Sequence, residues 1–524
     1  MIETLYAGAL LCLFFYLALI LKKELHMLQL NSYFNTRYIK WYKQNLRARC
    51  DIIKALAVLS GILSACWDGW LFPAAGILFP VAGAVALLKQ KAKKKLDFTK
   101  RAVRLFTLSL LLPAVALAVT FAATQDIRPA LLLLAALTAC SFPLMLLANT
   151  LIRPLETLIN RWYINDAKKK MKHCPDLTVV AVTGSYGKTS VKHFLQNILS
   201  ERYNVLITPG SFNTTLGVVR TVREQLQPLH EIFIVEMGAK KAGDVAEICR
   251  IVRPEYGVIT AIGAQHLETF GTVENVKKAK LEIISALPAT GKGFINAAGI
   301  ALGDLPADAK APVVSFGVEE DADYCARNIT YTARGMAFDV YCGGEKLLTL
   351  ETALLGEHNI TNLLACCAVA LTLGLEKYQI EKAVKGIRAV AHRLEVKPLP
   401  NGITVIDDAF NSNPVGSKMA LEALKRIDGK RKIIITPGMI ELGAEEAERN
   451  YAFGQAIARN CDIAVLVGAH RTQPVREGVL SAGFPEGNLM VCKNLAEANN
   501  YVKSIMQPGD VVLYENDLPD TFNE

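Results

Sequence analysis

Hydrophobic positions fall into two regimes along the chain. In the first, apolar residues run on without an intervening polar face, over Leu5–Leu21, Ala55–Trp67, Leu71–Leu88, Leu105–Ala123 and Ala130–Leu151. A helix needs about 20 mainly apolar residues to cross the hydrocarbon core of a bilayer, so the pattern predicts about five membrane-spanning helices within residues 1–153. The second run is short and ends in Trp67-Asp68-Gly69-Trp70, which predicts a hairpin with the third and an aromatic tip at an interface. Only Lys22-Lys23 follows the first run, with no small-residue cleavage site, so it reads as an anchor.

The second regime begins after a basic linker, residues 154–177, in which Trp162–Lys172 has helical character and Pro175 closes the segment. From Thr178 short apolar runs alternate with helical spacing, the mark of a doubly wound α/β arrangement. Strands are predicted around Val179–Val182, Ile232–Val235 and Tyr256–Ile259, then at Ile403–Ile406, Lys432–Thr436, Ile463–Val467 and Val511–Tyr514. We therefore expect a central α/β domain at 178–390 and a Rossmann-like domain at 391–524. The latter lacks the Gly-x-Gly-x-x-Gly fingerprint of dinucleotide sites, which argues against a redox cofactor.

Composition adds an orientation. The net charge is +9, with 52% hydrophobic and 20% charged residues. Lys22, Lys23, Arg37, Lys40, Lys43, Arg47, Arg49 and Lys54 lie between the first and second runs; Lys89, Lys91, Lys93, Lys94, Lys95, Lys100, Arg101 and Arg104 lie between the third and fourth. The other two connections are nearly free of basic residues. Positive-inside bias then places both basic loops, and everything after Arg153, in the cytoplasm of a plasma-membrane protein. Basic juxtamembrane loops suit anionic headgroups. No nucleic-acid motif accompanies them, so nucleic acid is not an expected partner. The twelve cysteines form no Cys-x-x-Cys pair and read as reduced thiols.

Candidate chemistry starts at Val179-Val180-Ala181-Val182-Thr183-Gly184-Ser185-Tyr186-Gly187-Lys188-Thr189-Ser190, a strand running through glycines into a helix. Backbone N–H groups of such a loop, with Gly184, Ser185, Gly187 and Ser190, can cradle phosphate; Lys188 can reach the β/γ-phosphates and Thr189 can ligate Mg²⁺. Glu236 closes the next strand of this domain, where open sheets bind ligands, and is a candidate Mg²⁺ ligand. His266 and Lys280 follow, each unremarkable by itself.

The succession Thr-Gly-Ser-x-Gly-Lys-Thr, Glu236-Met237-Gly238-Ala239, and His266 through Phe270-Gly271 to Ala279-Lys280-x-Glu282 resembles the Mur ligase family. Among its members, the branch adding D-alanyl-D-alanine to a UDP-muramoyl-tripeptide is most similar, over residues 176–524. Gly356-Glu357-His358-Asn359-Ile360-Thr361-Asn362 is similar to a family stretch whose asparagines approach adenine. His392-Arg393-Leu394 resembles the opening of the family's third domain, where the arginine meets nucleotide phosphate. Asp407–Pro414 resembles a loop that brings Asp408 to the ribose. The resemblance implies an ATP-dependent, ADP-forming amide ligase of peptidoglycan synthesis that works through an acyl phosphate. It also implies Mg²⁺ held by Thr189 and Glu236, a second metal served by His266 and Lys280, carbamylation of Lys280, and a hinge near Ala391–Arg393. Lys188, His266 and Lys280 are the implied catalytic residues, and Thr208, Asn213, Asn411 and Asn413 the implied substrate contacts.

The resemblance stops before Thr178. Where cytoplasmic members have a soluble UDP-sugar domain, this chain has apolar runs, so the expected acid is a peptidyl or lipid-linked carboxylate and the amine an amino acid or D-alanyl-D-alanine. Ser211 and Thr214 stand where the branch tends to have amides, and no aspartate precedes Met439. The readings that compete are a ligase of the same superfamily acting on a polyglutamate or amino-acid polymer, a non-catalytic ATP-binding membrane scaffold, and an ATP-driven transporter. A scaffold would tolerate loss of Lys188, Glu236, His266 or Lys280, and all four are present. A transporter would need a Leu-Ser-Gly-Gly signature and polar spans, and these are lacking.

Overall fold

The computed structural model describes residues 2–45, 52–90, 95–265, 267–318, 321–332, 335–354, 356–390, 392–409, 414–440 and 442–516. The chain divides into two compact units between Arg161 and Trp162. His266, Ala391, Asn411 and Asn413 lie outside the described residues, as do Arg47, Arg49, Lys91, Lys93 and Lys94 of the basic loops.

The described residues of the first unit form helices and no strand. These are α1 (Ile2–Leu30), α2 (Asn35–Gln44), α3 (Ile52–Cys66), α4 (Leu71–Lys89), α5 (Lys100–Thr124), α6 (Ile127–Ala139) and α7 (Ser141–Lys172), the last running past Arg161. Helices α1, α4, α5 and α7 are long and apolar enough to cross a bilayer, whereas α3 and α6 are shorter. Leu13, Leu17, Leu21 and Leu25 of α1 form the core with Ala84, Leu105 and Leu134, while Leu11, Leu78, Leu111 and Val119 point outward. Gly83 admits Tyr16 against α4, where a Cβ would stand 2.6 Å from the ring. Small residues permit such close helix packing in apolar surroundings. Near the basic loops, Arg104 makes a two-pronged pair with the buried Glu156, at 2.7 and 2.9 Å.

Two expectations change here. The run Ala130–Leu151 is not one helix but breaks at Cys140 between α6 and α7. Pro143 has no N–H to donate to the Ala139 carbonyl, and Lys54 Nζ approaches that oxygen instead, at 3.3 Å. The segment 154–177 is also no separate linker: α7 continues through Pro154 to Lys172.

The second unit holds two sheets. The larger comprises β1 (Thr178–Thr183), β2 (Val205–Ile207), β3 (Ile232–Glu236), β4 (Tyr256–Ile259), β5 (Lys292–Asn296), β6 (Val313–Gly317), β7 (Tyr324–Thr332), β8 (Gly335–Cys342) and β9 (Glu345–Thr352). Its order is β2-β3-β1-β4-β5-β6-β7-β8-β9, parallel as far as β7 and antiparallel beyond. Helices α8 (Lys188–Leu199), α9 (Thr215–Glu224), α10 (Asp244–Val252), α11 (Leu267–Phe270), α12 (Val273–Ser285), α13 (Glu357–Thr372) and α14 (Lys377–Gly386) accompany it. Strand β1 is buried on both faces. Val180 and Val182 pack into the layer containing α8 and α13; Val179 and Ala181 pack into the layer of α9, α10 and α12. This is the period-2 alternation of a central strand.

The smaller sheet has the order β10-β11-β15-β12-β13-β14, with β10 antiparallel at one edge. Its strands are β10 (Glu395–Pro398), β11 (Thr404–Asp408), β12 (Lys432–Thr436), β13 (Ile463–Val467), β14 (Leu489–Cys492) and β15 (Val511–Glu515). Between them run α15 (Pro414–Arg426), α16 (Glu446–Asn460), α17 (Gln473–Ser481) and α18 (Leu495–Ile505).

Candidate active site

The phosphate loop leaves β1 at Thr183 and enters α8 at Lys188. Gly184 and Gly187 have φ of 147° and 79°, a region costly for residues with a Cβ. A Cβ on Gly184 would stand 2.2 Å from Thr260 Oγ1, and one on Gly187 2.6 Å from Asn362 Oδ1. The second approach brings α13 to the loop. Ser185 is nearly buried and its hydroxyl donates to the Gly263 carbonyl, at 3.1 Å. The start of the twelve-residue α8 presents free backbone N–H groups, a ready anion site.

Lys188 donates to the Gly184 and Ser185 carbonyls, at 2.7 and 2.9 Å. Burial pushes its pKa down to about 8, with Arg393 adding to the effect and Glu236 opposing it. Thr189 donates its hydroxyl to Glu236 Oε2, at 3.1 Å. Burial alone would raise the Glu236 carboxyl, but Lys192, Lys188 and the Asn213 amide outweigh it and hold the pKa below the usual carboxylate range. Two oxygen donors this close, one an ionised carboxylate, suit the near-octahedral demands of Mg²⁺.

Of the three lysines on α12, Lys277 is engaged by Asp304 and Glu274, at 2.8 and 3.3 Å, and Lys278 is exposed. Lys280 is buried and has no hydrogen-bond or ion-pair partner among the described residues. Burial, with Lys188 next in weight, lowers its pKa to about 7. A buried neutral amine is the form that adds CO₂, so its environment fits carbamylation. No group of three or more His, Cys, Asp or Glu able to hold a metal occurs among the described residues.

A cleft of about 310 Å³ opens beside the loop, lined by Gly187, Ser190, Asn359, Asn362, Arg393 and Asp408 among others. It joins residues of both sheets. His358 and Tyr186, given no role of their own within the motifs above, also line it, as does Asn296, which no motif marked. His358 Nδ1 is buried without a hydrogen-bond partner among the described residues, and burial drives its pKa down to about 4. A neutral imidazole with a spare nitrogen can take a hydrogen bond from a ligand in the cleft. His392 and Leu394 have φ of 60° and 46°, so the backbone is left-handed on both sides of Arg393, where a hinge is expected. The Leu394 N–H donates to Asp408 Oδ1, at 3.1 Å. Burial raises the Asp408 pKa to about 6 against the pull of that N–H and of Arg393.

One expectation fails and another gains a different role. Thr208 is fully buried, its hydroxyl accepting the Glu236 backbone N–H at 3.1 Å, so it braces the end of β3 and is not presented at the surface as a substrate contact. Asn213 donates its amide to Glu236 Oε1, at 2.9 Å. Sequence reasoning also missed Lys192, which is fully buried against Glu236, at 3.0 Å. The available signal was its place one turn after Lys188 on α8.

A phosphate loop, an ionised carboxylate one strand away, a buried lysine of lowered pKa and a second α/β sheet completing the cleft define an ATP-dependent carbon–nitrogen ligase. Residues 182–370 match the family model described as Mur ligase middle domain, and residues 392–514 the one described as Mur ligase, glutamate ligase domain. The chain belongs to the Mur ligase family. It is 31% identical over 319 residues to UDP-N-acetylmuramoyl-tripeptide--D-alanyl-D-alanine ligase of Haemophilus influenzae, covering 60% of this chain and 68% of the relative. With the ligase of that name from Bacillus subtilis it shares 28% over 341 residues, 64% of this chain and 72% of the relative. The crystal structure of MurF from Acinetobacter baumannii superposes with a TM-score of 0.62 at 26% identity, covering 69% of this chain and 78% of that one.

Proposed function

We propose that the protein joins a muramoyl-peptide acid to D-alanyl-D-alanine at the cytoplasmic face of a membrane that its first unit spans. The observation that carries the chemistry is the approach of Thr189 to Glu236 beside Lys188. The α8 N-terminus and Lys188 bind and orient the triphosphate, Arg393 adds positive charge, and Asp408 and the α13 asparagines position the nucleoside. The acid attacks the γ-phosphorus to give an acyl phosphate and ADP; the amine then displaces phosphate and leaves an amide. Mg²⁺, held by Thr189 and Glu236 and at a second position by carbamylated Lys280 with His266, would neutralise the charge on the transferring phosphoryl group. No side chain needs to act as a covalent nucleophile.

The membrane reading rests on the length of α1, α4, α5 and α7 and on the segregation of basic residues into alternate connections. All-helical structure through the described residues before Trp162 favours an acid presented at the membrane, a lipid-linked muramoyl peptide, over a soluble nucleotide sugar. The test is phosphate release by detergent-solubilised enzyme given D-alanyl-D-alanine with either acid, or with single amino acids and polyglutamate. Turnover with muramoyl peptide, faster for the lipid-linked form, is expected. Equal rates on both forms would remove the lipid-linked reading, and turnover only on polyglutamate would remove the cell-wall one.

A further inference from the structure

Lys192 lies where three elements meet. It projects from α8 one turn beyond Lys188 and is fully buried, its ammonium donating to the Gly210 carbonyl at 2.6 Å and pairing with Glu236 Oε2 at 3.0 Å. Gly210 belongs to the loop 208–214 between β2 and α9. The same loop reaches Glu236 again through Asn213, whose amide donates to Oε1 at 2.9 Å and whose carbonyl accepts the Gly238 N–H at 2.7 Å. Both carboxylate oxygens are thus held from the loop side, one by Asn213 and one through Lys192. A cation taken this far from water costs several kcal/mol in desolvation, which a merely structural contact to a loop carbonyl would not repay. A neutral side chain would fill the position at less cost.

We propose that Lys192 is a positioning residue that locks the 208–214 loop to the Glu236 carboxylate, so that ordering of this loop and readiness of the carboxylate for Mg²⁺ are a single equilibrium. Lys188 and Lys192 then divide the work along one face of α8, the first for phosphate and the second for the carboxylate that receives the metal. The inference rests on the ligase reading only in taking Glu236 as a metal ligand, and its test involves no turnover.

The test compares full-length Lys192→Met and Lys192→Arg with the wild type in two measurements. These are hydrogen exchange over 208–214 and the Mg²⁺ concentration that half-saturates binding of a fluorescent ADP. Removing a partner that orients a metal ligand typically costs 10–100-fold in metal affinity. The Met variant is expected to raise the Mg²⁺ midpoint about tenfold and to speed exchange of the loop, with partial return of both in Lys192→Arg. If Lys192→Met does not fold, the double variant Lys192→Met/Glu236→Gln, which buries no unpaired charge, is compared with Glu236→Gln. Loop exchange should again be faster, with no further change in the Mg²⁺ midpoint. Wild-type loop exchange and an unchanged midpoint in Lys192→Met, or unchanged loop exchange in the double variant, would overturn the proposal.

Discussion

The hydroxyl of Thr189 and the carboxylate of Glu236 stand 3.1 Å apart, although 47 residues separate them in the chain. Pairing of β1 with β3, in which Val182 is the register partner of Glu236, produces that approach. Glu236→Gln keeps the shape and removes the charge. We expect roughly a 100-fold loss of ligase rate, a size usual for removing one preorganised electrostatic group. Stability should fall by about 3 kcal/mol because Lys192 is left as a buried charge without its counter-ion, read from urea unfolding.

Lys280 links stability to pH. Its folded pKa is about 7, below the ordinary lysine value. The unfolded chain therefore binds the extra proton between about pH 7 and 10.5, and stability rises with pH across that window. Lys280→Met should be more stable than the wild type at pH 6, on the order of a few kcal/mol, with the difference shrinking toward pH 10. It should also be inactive, and wild-type activity should fall when CO₂ is stripped and recover with bicarbonate. Melting curves at several pH values and assays in degassed buffer check both.

Asp408 shifts in the other sense. Its pKa is about 6, so the ionised acceptor exists only above that pH. In the native state this group holds a proton that the unfolded chain has released between about pH 4 and 6, and it subtracts stability as pH rises through that range. Nucleotide affinity should weaken below pH 6 in the wild type and be flat through the same range in Asp408→Asn, as measured by fluorescent ADP binding.

Gly187→Ala places a Cβ 2.6 Å from Asn362 Oδ1 at φ 79°. We expect nucleotide affinity to fall at least tenfold while the fold persists, because the strain is confined to the loop and costs about 1–3 kcal/mol. Calorimetric titration with ADP measures it.

Topology can be tested apart from catalysis. An epitope inserted at Gly69, in the turn between α3 and α4, should be reached by antibody on intact cells. One inserted at Asp97, before α5, should be reached only after permeabilisation. The opposite pattern would invert the proposed orientation.

The phosphate loop and Glu236 were legible because local rules fix them: a β-branched run, glycines and a lysine at a helix start, then a carboxylate at a strand end. The strands β6 to β9 were not recognised. The edge strand β9, Glu345–Thr352, alternates buried and exposed residues over its second half and carries no continuous apolar signal. Hydropathy also joined α6 to α7, since it registers apolar character and not the N–H that Pro143 lacks. Thr208 was assigned to substrate because motif spacing places a residue in a loop without saying which way it faces. Lys192 was overlooked for the opposite reason: a lysine on an amphipathic helix ordinarily points to water, and only the pairing of β1 with β3 brings Glu236 to it.

The most direct test of acid activation by phosphoryl transfer uses an acid substrate whose carboxylate carries ¹⁸O. If the carboxylate attacks the γ-phosphorus, one ¹⁸O passes into the inorganic phosphate released with each amide formed. Phosphate free of ¹⁸O, at full amide yield, would contradict it.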